Sequence, residues 1–502
     1  MSAATATTSL PSSAGGSPST GAKRPDDHVI VLFGASGDLA ARKLLPGFFH
    51  LEGAGLMPEG FRIVGTAGTD YEGHDNFRGH AREAVEEFGR AEPGDEAWAT
   101  FAEKISYVPV DAGPGALKEA VAEAQEELGG EPRLLHYLAV PPGAFGSIVE
   151  TLGEIGLTGN RARVILEKPF GHDLDSACAL NTSLHEEFED SQIFRIDHFL
   201  GKEAVQNILA LRFANGLYEP IWNRNNVEFV QIDVPETLSI GHRAGFYEGT
   251  GAYRDMIVTH LLQLLSFVAM EPPASLSARH LREEKDKLME AIRPIDPAKV
   301  VRGQYEGYRD EEGVAPGSET ETFVALEVEI DNWRWAGVPF YLRTGKCMAE
   351  SRHLVALDFR EPPMRMFPNE VQHQGANQLV FELKEPGSIT ADFQAKVPGA
   401  TMELGPARMT FTYEESFCAD NQLEAYERLI HDAMLGDATL FTSAEGIERL
   451  WQVSAEVLEK PSELHAYPQG SWGPEEGQEL IAPWSWRLPE QDRSNPTERT
   501  ER

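Results

Sequence analysis

The sequence predicts a doubly wound α/β domain followed by an α+β domain with a large, mostly antiparallel sheet. Three observations carry that prediction. Short continuous apolar runs alternate with amphipathic helical patterns from His28 to about residue 200, as buried parallel strands joined by crossover helices do. Beyond that point the strand-like segments lengthen and alternate apolar with polar residues, the mark of one buried face. A chain of 502 residues, 41% hydrophobic and 25% charged, has room for two or more domains and the composition of a globular protein.

The elements follow in order. His28–Phe33 is the first apolar run; a glycine-rich turn and a helical pattern through Leu44, Leu45 and Phe48 come next. Arg62–Gly65, Ile105–Val110, Leu134–Ala139 and Arg163–Leu166 read as further strands, with helices near Phe77–Phe88, Ala116–Leu128 and Phe145–Ile155 between them. In the second half, alternation marks Val227–Pro235, Glu321–Trp333, Val338–Arg343, Leu354–Phe359, Leu379–Leu383, Ile389–Val397 and Met409–Tyr413. Helices are expected near Tyr253–Ala269, Leu281–Ile292, Glu424–Leu435 and Ala444–Leu458, packed against one face of the sheet. So large a sheet needs its other face covered, which predicts a homodimer or homotetramer.

Charge and cysteine content narrow the class. Asp and Glu number 80 against 44 Lys and Arg, so nucleic acid and anionic membranes are poor partners. A protein this acidic that binds a phosphorylated ligand must gather its few cations locally. Cys178, Cys347 and Cys418 lie far apart without metal-ligand spacing, and no metal site is expected; a reducing cytoplasm is the natural location. Residues 1–27, rich in Ser, Thr, Ala, Gly and Pro, read as a disordered tail without signal-peptide or transit-peptide character, and 491–502 as a second tail. The longest apolar stretch, Met256 to Met270, is too short and too polar to span a bilayer.

Two motifs carry chemistry. Gly34-Ala-Ser-Gly-Asp-Leu-Ala40 sits between the first strand and the first helix. There Gly34 and Gly37 allow a tight turn and close backbone approach to a dinucleotide pyrophosphate at a helix N-terminus, as in a Rossmann-type domain. Arg195-Ile-Asp-His-Phe-Leu-Gly-Lys-Glu203 sets an acid, an imidazole and two cations between a strand and a helix. That composition suits an anionic ligand held beside a proton-transfer centre. Of the fifteen histidines, His260 differs from the rest by sitting inside an apolar helix, where a buried imidazole calls for a partner.

Together with Glu167-Lys-Pro-Phe-Gly171, Leu138-Ala-Val-Pro-Pro142 and Arg343-Thr-Gly-Lys346, these motifs closely resemble the glucose-6-phosphate dehydrogenases, from His28 to the Tyr467–Pro474 segment. The resemblance implies a nicotinamide-dependent oxidation of glucose 6-phosphate to 6-phosphoglucono-δ-lactone, the first step of the oxidative pentose phosphate route. It implies a dinucleotide-binding domain over 28–200 and a substrate-binding and dimerisation domain over 201–490. His260 would be the base and Asp197 its carboxylate partner. His198, Lys202 and Lys168 would surround the 6-phosphate and sugar as three potential cations, and Lys346 would be a further substrate lysine. Asp255 and Glu236 would accept sugar hydroxyls. On an ideal α-helix Asp255 and His260, five apart, stand ~140° from each other. Gly34, Ser36, Gly37, Asp38, Leu39, Lys43 and Lys168 would line the cofactor, with Pro169 cis.

Three positions depart from the family pattern. Gly68 stands where an arginine usually grips the 2′-phosphate of NADP, and Asp70 adds a negative charge; NADP is the family's cofactor, but NAD is expected to serve appreciably, unless Arg42 or Arg62 substitutes. Phe199 replaces the usual tyrosine, and Ser351 the usual second cation, with Arg352 adjacent. Weaker phosphate capture follows. The rivals are a related sugar or sugar-phosphate dehydrogenase of altered preference and a non-catalytic sugar-phosphate-binding paralogue.

Overall fold

The computed structural model describes residues 23–90, 92–364, 366–367, 377–417 and 423–489. Residues 1–22 and 490–502, most of the two predicted tails, and Cys418 lie outside them.

The first domain is a six-stranded parallel sheet of β1 (His28–Phe33), β2 (Phe61–Ala67), β3 (Ile105–Pro109), β4 (Arg133–Leu138), β5 (Ala162–Glu167) and β6 (Ile193–Ile196), in the order β3-β2-β1-β4-β5-β6. β1 aligns His28 with Phe61 on one side and with Arg133 on the other. Every residue of β1 is buried, which is why it reads as an unbroken apolar run. Helices α1 (Leu45–Gly53), α2 (His74–Phe88), α3 (Asp95–Ala102), α4 (Gly113–Leu128), α5 (Phe145–Glu154) and α6 (Leu174–Glu187) connect the strands. α6 starts at a reciprocal cap between Asp173 and Ser176. The strand order reverses between β1 and β4, which opens a crevice at their C-terminal ends.

The second domain follows through α7 (Glu203–Ala214) into β7 (Val227–Pro235), α8 (Ala244–Ala252), a π-helical segment at Tyr253–Leu261, α9 (Leu262–Ala269) and α10 (Ala278–Ala291). Then come β8 (Val300–Tyr305), β9 (Phe323–Val328), β10 (Phe340–Gly345), β11 (Leu354–Phe359), β12 (Gln378–Glu382), β13 (Ser388–Lys396), β14 (Leu404–Thr412), α11 (Tyr413–Ser416), α12 (Ala425–Leu435), α13 (Ala444–Glu459), β15 (Leu464–Tyr467) and α14 (Glu475–Glu479). The nine strands run in the order β14-β13-β12-β11-β7-β10-β9-β8-β15. β7 pairs with β10, and β8 with β15, in parallel; the other pairings are antiparallel.

One connected apolar core runs from β1 through α9 to Trp486. The domains are also tied by polar contacts: the Trp451 indole donates to Phe170 O (3.0 Å), and Arg163 donates to Ala433 O (2.9 Å). Among the described residues no helix is long and apolar enough to cross a membrane.

The expected helix Tyr253–Ala269 is more structured than its apolar pattern suggests. Gly251 (φ +66°) breaks it from α8, and its first half is wound as a π-helix. Hydrogen bonds from i to i+5 put residues five apart on nearly one face, so Asp255 and His260 do not diverge as on an α-helix.

Candidate active site

In the crevice of the first domain lies a cavity of about 560 Å³ lined by Gly34, Ser36, Gly37, Gly68 and Val140. Gly34 has φ +76°, and a β-carbon there would sit 2.2 Å from the Ala139 carbonyl oxygen. Backbone approach this close is what a pyrophosphate needs, and these residues fit a dinucleotide. The Thr69 hydroxyl donates to Ser36 Oγ (3.0 Å) on the same wall. Asp38 and Leu39 enter the turn leading to a π-helical segment at Ala40–Leu44, and Asp38 accepts from Arg42 (2.5 Å). Lys43 is bound to Glu424 beside α12 (2.9 Å), so it bridges the domains.

The two arginines that could substitute for the missing one at Gly68 are engaged elsewhere. Arg42 pairs with Asp38 and lies over the Phe88 ring at 4.8 Å, and Arg62 holds Glu127 (2.7 Å). A β-carbon at Gly68 would meet nothing within 4 Å.

At the domain junction His260 and Asp197 form a buried pair, with Nδ1 2.6 Å from Oδ1. The Phe199 amide also donates to Oδ1 (3.0 Å). Burial pushes the Asp197 carboxyl up, but the facing His260 and its hydrogen bond more than reverse this, and the group lies below its ordinary value. An ionised Asp197 makes Nδ1 the proton-bearing atom of a neutral His260 and leaves Nε2 with a lone pair. A carboxylate oxygen of Asp197 and ring nitrogens of His198 and His260 lie within 4.8 Å of one another.

The predicted cations are brought together but not equally charged. Burial, then the neighbouring His260, drives the His198 imidazole well below its ordinary value, which favours its neutral form. Its ring stacks on Tyr426 (5.9 Å, 7°). Lys168, which follows β5 and precedes Pro169 across a cis peptide, donates to Asp255 Oδ1 (2.7 Å). Burial opposes ionisation of Asp255, yet Lys168, His260 and Lys346 hold its carboxyl down at about 2. Lys346 is hydrogen-bonded to Glu236. Lys202 lies 4.6 Å over the Phe199 ring and 2.9 Å from His353 Nδ1.

The side chain beside Lys202 is thus His353, which sequence reasoning missed. Arg352 points elsewhere, onto Asp233 (3.1 Å) and the Arg487 carbonyl, where Asp233 also takes both arms of Arg343 (2.8 and 2.6 Å). Phe199 is the centre of a ring stack, 4.4 Å from His260 and 5.1 Å from His353. Glu167 was also missed: it is buried, accepts from Tyr137 OH (2.6 Å), and burial raises its carboxyl to about 7.

Comparison with known proteins decides the family. A family model described as the NAD binding domain of glucose-6-phosphate dehydrogenase matches residues 31–207, and one described as its C-terminal domain matches 209–487. The chain belongs to the glucose-6-phosphate dehydrogenase family. Glucose-6-phosphate 1-dehydrogenase 2 of Mycobacterium tuberculosis is 41% identical over 486 residues, covering 92% of this chain and 94% of that one. A crystal structure of the Mycobacterium avium glucose-6-phosphate 1-dehydrogenase superposes with a TM-score of 0.82 at 37% identity, over 93% of this chain and 99% of that one. A solved glucose-6-phosphate dehydrogenase in complex with its substrate glucose 6-phosphate gives 0.84 at 33% identity, over 93% and 100%. Membership of the glucose-6-phosphate dehydrogenases assigns a nicotinamide dinucleotide to the first domain.

Proposed function

We propose that the protein oxidises D-glucose 6-phosphate to 6-phosphoglucono-δ-lactone, the first step of the oxidative pentose phosphate route. The observation that carries this reading is the buried His260–Asp197 pair, set beside Lys202 and the lysine-held carboxylates Asp255 and Glu236. His260 Nε2 takes the proton of the anomeric hydroxyl, and Asp197 stabilises the imidazolium that forms. Asp255 and Glu236 accept hydrogen bonds from sugar hydroxyls, each aimed by its lysine. Lys202 attracts the 6-phosphate, and neutral His198 beside it both donates and accepts. Gly34, Ser36, Gly37, Asp38 and Leu39 line the cofactor, which when bound supplies the hydride acceptor. The junction near residue 200 separates the two ligand-binding domains.

NADP is the family's cofactor, and we read NAD as used appreciably beside it. Open space at Gly68, the nearby Asp70 and the commitment of Arg42 and Arg62 support this. We also read the outer strands β13 and β14 as covered by a second copy, in a homodimer or homotetramer. Both their faces are partly accessible, and Met409 on β14 is 63% exposed. Light scattering on the purified protein checks it, and a monomer at micromolar concentration refutes it. An assay crossing both cofactors with glucose 6-phosphate and free glucose tests the rest. The expected outcome is strong preference for the phosphorylated sugar with less than hundredfold preference for NADP. Equal use of free glucose would sink the substrate reading, and a larger NADP preference the cofactor reading.

A further inference from the structure

Three lysines reach the substrate side of the cleft, and they are not equivalent. Lys168 and Lys346 are hydrogen-bonded to Asp255 and Glu236. Lys202 alone of the three has no carboxylate within ion-pair distance among the described residues, and its ammonium contacts an imidazole instead. An ammonium has no acceptor lone pair, so Lys202 donates and His353 Nδ1 accepts.

That contact fixes the state of His353. Burial first, then the charges of Lys202 and Lys384, bring the imidazole down to about 3, so the ring is neutral and its proton sits on Nε2. The ring is also held in place. Its backbone N–H donates to Glu382 Oε1 (3.1 Å), its carbonyl accepts from Leu383 (2.6 Å), and its face lies 5.1 Å from Phe199. Nε2 has no partner among the described residues. Lys384 adds a second positive charge nearby, its ammonium resting on the Ser351 carbonyl (2.9 Å). Arg352 turns to Asp233, whereas its neighbour His353 faces Lys202.

We propose that His353 is a phosphate-binding residue, donating from Nε2 to the 6-phosphate beside Lys202, with Lys384 as the supporting charge. The proposal rests on the reading of glucose 6-phosphate as substrate. It supplies, from a different residue, the contacts that Phe199 and Ser351 do not make. Neutral imidazole suits the task because it contributes a fixed donor without repelling Lys202. Glu385, Asp197 and Glu382 counter the effect of burial on Lys202, whose ionisation is still lowered from its ordinary value.

Steady-state kinetics on the full chain test this with glucose 6-phosphate, free glucose and inorganic phosphate as a competitive probe. His353→Ala should raise KM for glucose 6-phosphate about tenfold, the lower end for a hydrogen bond to a charged group, with kcat changed far less. The phosphate inhibition constant should rise by the same factor. The ratio of kcat/KM for glucose 6-phosphate over glucose should fall about tenfold, His353→Gln should recover most of it, and Lys384→Met should raise KM by a smaller factor. Equal losses on both sugars, or unchanged phosphate inhibition, would overturn the proposal even where the reaction itself is as described. A wild-type protein that does not distinguish glucose 6-phosphate from glucose would overturn the underlying reading, a result visible before any variant is made.

Discussion

The cofactor crevice and the substrate pocket recognise their ligands by opposite means. The crevice is made of backbone: Gly34 brings the chain to within van der Waals reach of Ala139, and the surrounding wall offers amides, hydroxyls and apolar surface. The pocket is made of side chains whose charges are mostly settled against one another, Lys168 with Asp255 and Lys346 with Glu236. The crevice thus discriminates by what is absent, as at Gly68. The pocket discriminates by which charge is left over, and that charge is Lys202. Changes in the crevice should therefore alter cofactor choice and leave the pocket's electrostatics intact, whereas removing one pocket charge should disturb its partner as well.

The largest effect falls on the proton-transfer pair. Replacing His260 by Ala removes the general base, and kcat should fall roughly 10²–10⁴-fold with both cofactors alike. A loss below tenfold, or one confined to a single cofactor, would break the division of labour drawn here. Next comes the settled charge. Lys168→Met takes away the hydrogen-bonded partner of Asp255, 7% exposed, leaves the buried carboxylate only the weaker attraction of His260 and Lys346, and should cost at most roughly 3–5 kcal/mol of stability. The pH dependence has a definite sign. Asp255 ionises at about 2 in the folded protein, below its ordinary 3.8, so its contribution is complete above 3.8 and disappears as pH falls through 2. In Lys168→Met that acid-labile contribution should shrink, and Lys168→Met with Asp255→Leu should recover much of the loss. Denaturant unfolding between pH 2 and 7 measures both, and an equally acid-sensitive single variant would mean that Lys168 does not hold Asp255 ionised.

How far the sequence announced all this depends on whether a feature is local. β1 and the crevice were legible because full burial writes an apolar run and a tight turn writes glycine. β8, β15, α3 and α6 were not anticipated: β8 is broken by Gly303, which packs against Phe323 and Tyr467, and β15 is only four residues long. Apolar periodicity over Met256–Met270 signalled a helix but carried no mark of π winding, and so misplaced Asp255 relative to His260. The pocket residues were named from resemblance, yet their pairings are long-range, 87 residues apart for Lys168 and Asp255 and 110 for Lys346 and Glu236. The charge of His198 depends on burial, which no motif states. His353 lay beside Ser351 and Arg352 in plain view, but a lone histidine just before a strand carries no signal until Lys202 is found next to it.

The smallest effect is the most discriminating. A β-carbon at Gly68 meets nothing within 4 Å, and Gly68 does not have the left-handed backbone that would resist a side chain. Gly68→Arg should therefore fold without strain and place a guanidinium where the 2′-phosphate of NADP would lie. One charge-assisted contact raises affinity by about tenfold or somewhat more, and Asp70, two residues on, offsets part of that gain. The expected result is a rise of about tenfold in the ratio of kcat/KM for NADP over NAD, with KM for glucose 6-phosphate unmoved. The second half of that outcome carries the comparison: the backbone-built crevice can be retuned by one side chain because no charge in the pocket depends on it. A substrate KM that shifts together with cofactor preference would mean that the crevice and the pocket are one electrostatic unit.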